Sequence, residues 1–199
     1  MTITPYDSRA CRSLWLFHVY NPNLHLLIDD REVLYRRGLT RVIEQPQRVQ
    51  LAPVLEADRP WEHDSVSLWG SVCRDATKFQ MWYLAIREPR GQLHSRICYA
   101  TSTDGLTWTR ESFNRYPVPE GKENNIVYRD ERDPEIMRNH PFTVLRDETD
   151  PDPAKRYKFV GYMNDANGTR GYSIGFSSDG IEWTMPPRVH LPRGDRTAV

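Results

Sequence analysis

Acids set beside apolar or aromatic runs are the residues in this chain that could do chemistry. Asp29 and Asp30, followed by Arg31, close the buried-strand pattern Leu24-His25-Leu26-Leu27-Ile28, and Glu62 stands directly after Trp61. Arg132-Asp133-Pro134 and Gly194-Asp195-Arg196 supply two further acids. A carboxylate is a base or nucleophile when ionised and a proton donor when held protonated, so acids gathered from separate segments could run acid–base chemistry. Asp29 and Asp30 read equally as two solvated turn residues that end a strand.

Most other chemistries lack their residues. The sequence contains no Gly-rich phosphate loop, His-Glu-x-x-His, Cys-x-x-Cys or Gly-x-Ser-x-Gly. The six histidines (His18, His25, His63, His94, His140 and His190) are scattered, as structural hydrogen-bonding residues are. Cys11, Cys73 and Cys98 have no metal spacing, and the last two fall in strand-like runs, which points to buried free thiols and a cytoplasmic setting. No metal or cofactor is implied. Lys+Arg and Asp+Glu balance at 27 each and are interspersed, which argues against nucleic acid or an anionic membrane as partner. No apolar run is long enough to span a bilayer, and Leu14-Trp15-Leu16-Phe17 is too short and aromatic for a signal-peptide core. Six Trp, ten Tyr and six Phe mostly suit a core, but an aromatic surface of mixed charge also suits carbohydrate. Nothing in the sequence fixes an oligomeric state.

What must position these residues is a repeat. Ser102-Thr103-Asp104-Gly105-Leu106-Thr107-Trp108 returns as Ser177-Ser178-Asp179-Gly180-Ile181-Glu182-Trp183. Upstream, Phe79 to Ala85 aligns with Tyr157 to Met163, and Gly70 to Asp75 with Phe142 to Asp147. Each piece is short, rich in β-branched and aromatic residues, and bounded by Asp, Gly, Asn or Pro, which is strand-and-turn chemistry. Asp-Gly between apolar runs marks a tight turn, and the Trp after it should open the outer strand. Parts recurring in one order predict an all-β fold of four-stranded antiparallel blades, a partial β-propeller, with a pair of sandwich hairpins as the alternative. Almost no helix is expected.

Along the chain, 24–60 reads as a partial first blade, with one or two strands over 33–51. Residues 61–116 form a complete blade, 124–191 a second, and 192–199 the start of another. Tyr116-Pro117-Val118-Pro119 links the two blades, and Asn167-Gly168 turns the middle hairpin of the second. Two blades and part of a third leave a ring unclosed, so a fragment of a longer propeller is the expectation.

These pieces resemble the five-bladed β-propeller glycoside hydrolases of families 32, 43 and 68, and most closely a family 32-like branch. The resemblance is carried by Ile28-Asp29-Asp30-Arg31, Pro60-Trp61-Glu62, Gly70-Ser71-Val72, Met81-Trp82-Tyr83, the Ser102 to Trp108 turn, Asn124-Asn125-Ile126-Val127, and Asp150-Pro151-Asp152-Pro153-Ala154 with Arg156-Tyr157-Lys158. It implies carboxylates from the innermost strands of different blades, meeting in a funnel on the propeller axis. One attacks or activates water at the anomeric carbon, another protonates the leaving oxygen, and a third orients the sugar. On this resemblance Asp30 is the base or nucleophile, with Asp29 and Arg31 beside it for substrate. Asp195 or Asp133 orients the sugar, and the proton donor is unassigned. Trp61 and Glu62 could place a stacking face and a carboxylate at the funnel mouth, or cap a blade surface.

The chain departs from the family where innermost strands often begin with Asp-Pro or Arg-Asp-Pro. Here Trp69 precedes Gly70-Ser71-Val72, and His140-Pro141 precedes Phe142-Thr143-Val144. Trp69 and His140 therefore face the expected axis as substrate-binding candidates. The expected function is a glycoside-hydrolase-like protein cleaving or binding a glycosidic substrate. The alternative is a non-catalytic propeller module that binds carbohydrate or protein.

Overall fold

The computed structural model describes residues 35, 37, 38, 40, 42–87, 94–128, 142–164, 167, 169–185 and 191–192. The chain divides into two compact units, Met1–Val49 and Gln50–Val199. In the first unit the described residues carry neither helix nor strand, so the one or two strands expected over 33–51 are not found among them. Their apolar side chains are open to solvent, Tyr35, Val42, Ile43 and Val49 among them.

The second unit is all-β. Strands β1 (Ser65–Arg74), β2 (Phe79–Arg87), β3 (His94–Ser102) and β4 (Ile126–Tyr128) form one antiparallel sheet in sequential order. Strands β5 (Phe142–Arg146), β6 (Tyr157–Asn164), β7 (Arg170–Ser177) and β8 (Leu191–Pro192) form a second in the same order. Helical structure among the described residues is limited to two 3-10 turns, Pro60–Glu62 and Pro153–Lys155. None of it is long and apolar enough to cross a membrane.

The third strand of each sheet ends in the same Ser-x-Asp-Gly turn. In the first, Ser102 Oγ accepts from the amides of Asp104 (3.2 Å) and Gly105 (2.8 Å), while Asp104 Oδ1 accepts from Leu106 (2.8 Å) and Thr107 (2.7 Å). In the second, Ser177 Oγ accepts from Asp179 (3.2 Å) and Gly180 (2.8 Å), and Asp179 Oδ1 from Ile181 (2.8 Å) and Glu182 (2.9 Å). Gly105 and Gly180 sit at φ 75 and 78, the left-handed region where a side chain is strained. The backbone amides first, and then the Ser102 hydroxyl, lower the pKa of Asp104 to about 2. Trp108 does not open an outer strand as expected. Past each turn the chain makes a single bridge, Thr101 to Thr109 and Phe176 to Thr184. The fourth strand of the first sheet is Ile126–Tyr128, which the sequence had placed in the second blade, 124–191. The long polar connection 103–125 hid this pairing.

The sheets meet through one face of each. Trp82, Leu84, Ile97 and Tyr99 of the first pack on Phe142, Val144, Tyr157 and Phe159 of the second. Trp82 Nε1 donates to the carbonyl of Gly180 (2.7 Å), and the Tyr157 hydroxyl donates to Gln80 Oε1 (3.0 Å). Along the joint the first strands of the two sheets are neighbours, and the Val144 amide donates to Ser71 Oγ at 2.8 Å. The other face of the first sheet, with Met81, Tyr83, Ala85, Cys98 and Ala100, is covered by Leu55, Trp61, Trp108 and Val118.

Candidate functional site

The densest polar constellation among the described residues gathers on that covered face, around the 3-10 turn Pro60–Glu62. Glu62 is completely buried. The turn carries it under the sheet, where Arg110 Nε donates to Oε1 at 2.7 Å and the Tyr83 hydroxyl donates to the same oxygen at 2.5 Å. The amides of Asp58 (3.1 Å) and Arg59 (3.2 Å) donate to Oε2. Asn125 Nδ2 donates to the Tyr83 oxygen at 2.7 Å, and its Oδ1 accepts from Trp61 Nε1 at 2.7 Å. A buried carboxylate without such partners would neutralise or unfold the site. Glu62 thus forms a buried ion pair with Arg110.

The surroundings fit that role. Burial first, then the nearby Cys98 thiol and the Glu62 charge, push the Tyr83 phenol well above its ordinary range. Burial, then Glu62, likewise raises the pKa of the fully buried Cys98 thiol. Neither group titrates near neutrality. On the far side of Trp61, Arg96 Nη1 donates to the Trp61 carbonyl and to Glu120 Oε2, both at 3.3 Å, and His63 Nε2 lies 3.3 Å from Glu120 Oε1. Burial pushes the Glu120 pKa up, but its own backbone amide, Arg96 and His63 outweigh that and leave it lowered. Both acids of the cluster are therefore paired with cations, Glu62 with Arg110 and Glu120 with Arg96.

Beside this cluster, a cavity of about 270 Å³ is lined by Pro53, Val54, Leu55, Val66, Ser67, Leu68, Met81 and Tyr83. Its wall is apolar and it does not reach the Glu62 carboxylate. It opens at an irregularity in β1. Pairing runs from Ser67 with Leu84 to Ser71 with Trp82, so Leu68, Trp69 and Gly70 face Tyr83 alone. Gly70 is required there, since a Cβ would come within 2.1 Å of the Trp82 carbonyl oxygen and 2.6 Å of the Phe142 ring. The bulge turns Leu68 and Trp69 outward, and Trp69 is 41% exposed.

Of the residues expected to form a sugar site, three are described. Glu62 is enclosed and shares no opening with the cavity, whereas a funnel-mouth role needs an accessible carboxylate. Trp61 is partly buried, with its indole N–H engaged by Asn125. Trp69 is exposed on the bulge of β1. Asp29, Asp30, Arg31, Asp133, His140 and Asp195 lie outside the described residues. No group of three or more His, Cys, Asp or Glu among the described residues could hold a metal ion. Tyr83, Arg110 and Asn125 went unrecognised as partners of Glu62 because none lies near it in sequence. The one available signal was Asn124-Asn125, whose side chains are too polar for a strand start unless something buried needs them.

The fold is similar to several solved structures. One is assigned to the glycoside hydrolases, from Parabacteroides distasonis ATCC 8503: TM-score 0.45, 17% identity, 70% of this chain and 40% of that one. Another comes from the GH130 family of mannoside phosphorylases, which contains glycoside hydrolases that target β-1,2-mannosidic linkages in Candida mannan: TM-score 0.45, 16% identity, 77% and 43% of the two chains. A third is a glycosyl hydrolase from Bacteroides ovatus: TM-score 0.42, 18% identity, 71% and 40%. The chain thus spans less than half the length of each. No protein-family model matches the sequence, and no curated protein does.

Proposed function

We propose that this chain forms blades of a glycoside-hydrolase-like β-propeller that takes a sugar on the axis lined by its innermost strands. The supporting observation is the repeated sheet. Both four-stranded sheets run in sequence order from β1 and β5, and these two first strands are neighbours, as innermost strands around a common centre would be. In that reading Asp30 serves as base or nucleophile and Asp195 or Asp133 orients the substrate, with Trp69 on β1 offering an aromatic face.

The test is turnover of p-nitrophenyl glycosides by the chain and by Asp30→Asn. A fall of about a hundredfold to ten-thousandfold with an unchanged circular dichroism spectrum is expected. Unchanged turnover would remove Asp30 from the mechanism.

A non-catalytic sugar-binding module is the second reading. What favours it is Glu62, whose carboxylate is wholly engaged by Arg110, Tyr83 and two amides. Calorimetric binding of an oligosaccharide with no hydrolysis over hours would select this reading over the first.

A further inference from the structure

The segments that cover the outer face of the first sheet do not close on it completely. Leu55, Trp61, Trp108 and Val118 pack there over Met81, Tyr83 and their neighbours, yet a cavity of about 270 Å³ stays open between residues 53–55 and strands β1 and β2. Folded interiors are close-packed, with few voids larger than a water molecule. This one is nearly twice the roughly 150 Å³ in which apolar walls take up benzene.

Its wall defines what it would hold. None of the lining side chains is charged, and most are aliphatic. The Tyr83 hydroxyl is already committed, donating to Glu62 Oε1 and accepting from Asn125 Nδ2. An ion or a sugar would therefore exchange water for a wall that cannot replace its hydrogen bonds, whereas an uncharged apolar molecule gives up none. Two lining groups favour aromatic rings in particular. The Met81 thioether is adaptable and packs well on a ring edge, and the Tyr83 ring offers an aromatic partner. The outer wall is the part able to yield. Residues 53–55 run in irregular chain, tied at their downstream end where Arg110 Nη2 donates to the carbonyl of Glu56. Val54 and Leu68, 39% and 54% exposed, mark the mouth.

We propose that this cavity binds a small uncharged aromatic molecule of two fused rings, held between Met81 and Tyr83 on the sheet and residues 53–55 outside. The covering segments stay in place as its outer wall. Such binding does not depend on a sugar site elsewhere in the chain.

Methionine-methyl NMR of the full chain, which carries five methionines, tests this with indole as the probe. Indole should move the Met81 methyl saturably, with a dissociation constant below about 1 mM. An indole carboxylate, the same rings carrying a charge, should bind at least about tenfold more weakly. Val66→Phe, which fills the cavity from β1, should weaken indole by at least about tenfold while the methyls outside the cavity keep their positions. Should Val66→Phe unfold the chain, Val54→Trp at the exposed mouth replaces it, with the same expectation. A Met81 methyl that does not move, a shift that never saturates, equal binding of the carboxylate, or unchanged indole affinity in a folded filling variant would each overturn the proposal.

Discussion

Replacing Arg110 by Met keeps most of the apolar stem but removes the guanidinium that meets Glu62 at 2.7 Å. The side chains of Arg110 and Glu62 are 7% and 0% exposed, so the variant leaves a buried anion with its chief counter-charge gone. Removing one partner of such a pair costs about 3–5 kcal/mol, whereas removing both is far milder. Urea unfolding of Arg110→Met should fall by about that amount, and Arg110→Met with Glu62→Gln should recover a large part of it. Equal stability of wild type and single variant would mean that the carboxylate is not charged in the folded protein. At this scale the cluster is a latch, tying the segment before β1 and the connection after β3 to the middle of the sheet.

The two Ser-x-Asp-Gly turns are one element used twice, in different surroundings. Alanine at Gly105, with φ 75, would meet only the Phe79 ring at 3.7 Å, an ordinary contact. Alanine at Gly180, with φ 78, would place Cβ 2.6 Å from the Trp82 ring and 3.3 Å from Tyr157. Both variants incur about 1–2 kcal/mol of left-handed backbone strain. Gly180→Ala must in addition displace the indole that locks the sheets together, so it should be the more destabilising by thermal unfolding. Gly105→Ala proving the worse of the two would show that the second turn is not seated on Trp82.

For the second unit as a whole, one core cluster spans both sheets, with Trp82 at its centre. Trp82→Ala removes the indole, its hydrogen bond and its packing on Tyr99 (5.2 Å between ring centroids) and Tyr157 (5.8 Å), a loss of about 3–5 kcal/mol. Because the cluster is shared, amide exchange in β2 and in β6 should accelerate by the same factor. Protection retained in β6 would mean that the sheets unfold separately.

The sequence by itself determined the elements. Alternation, turn residues and the returning Ser-x-Asp-Gly motif give strand pieces at 70–75, 79–85, 97–101, 142–147, 157–163 and 172–176, because strand and turn preferences act over a few neighbouring residues. It could not place Ile126–Tyr128 in the first sheet, since that pairing closes over a long polar connection with no periodic signal. It likewise set Glu62 beside Trp61 as a sugar-binding pair, while Tyr83, Arg110 and Asn125, far off in sequence, enclose it. Burial is decided by which distant segments fold over a residue, and hydrogen-bond partners by what desolvation then demands. Only the tertiary structure carries that information.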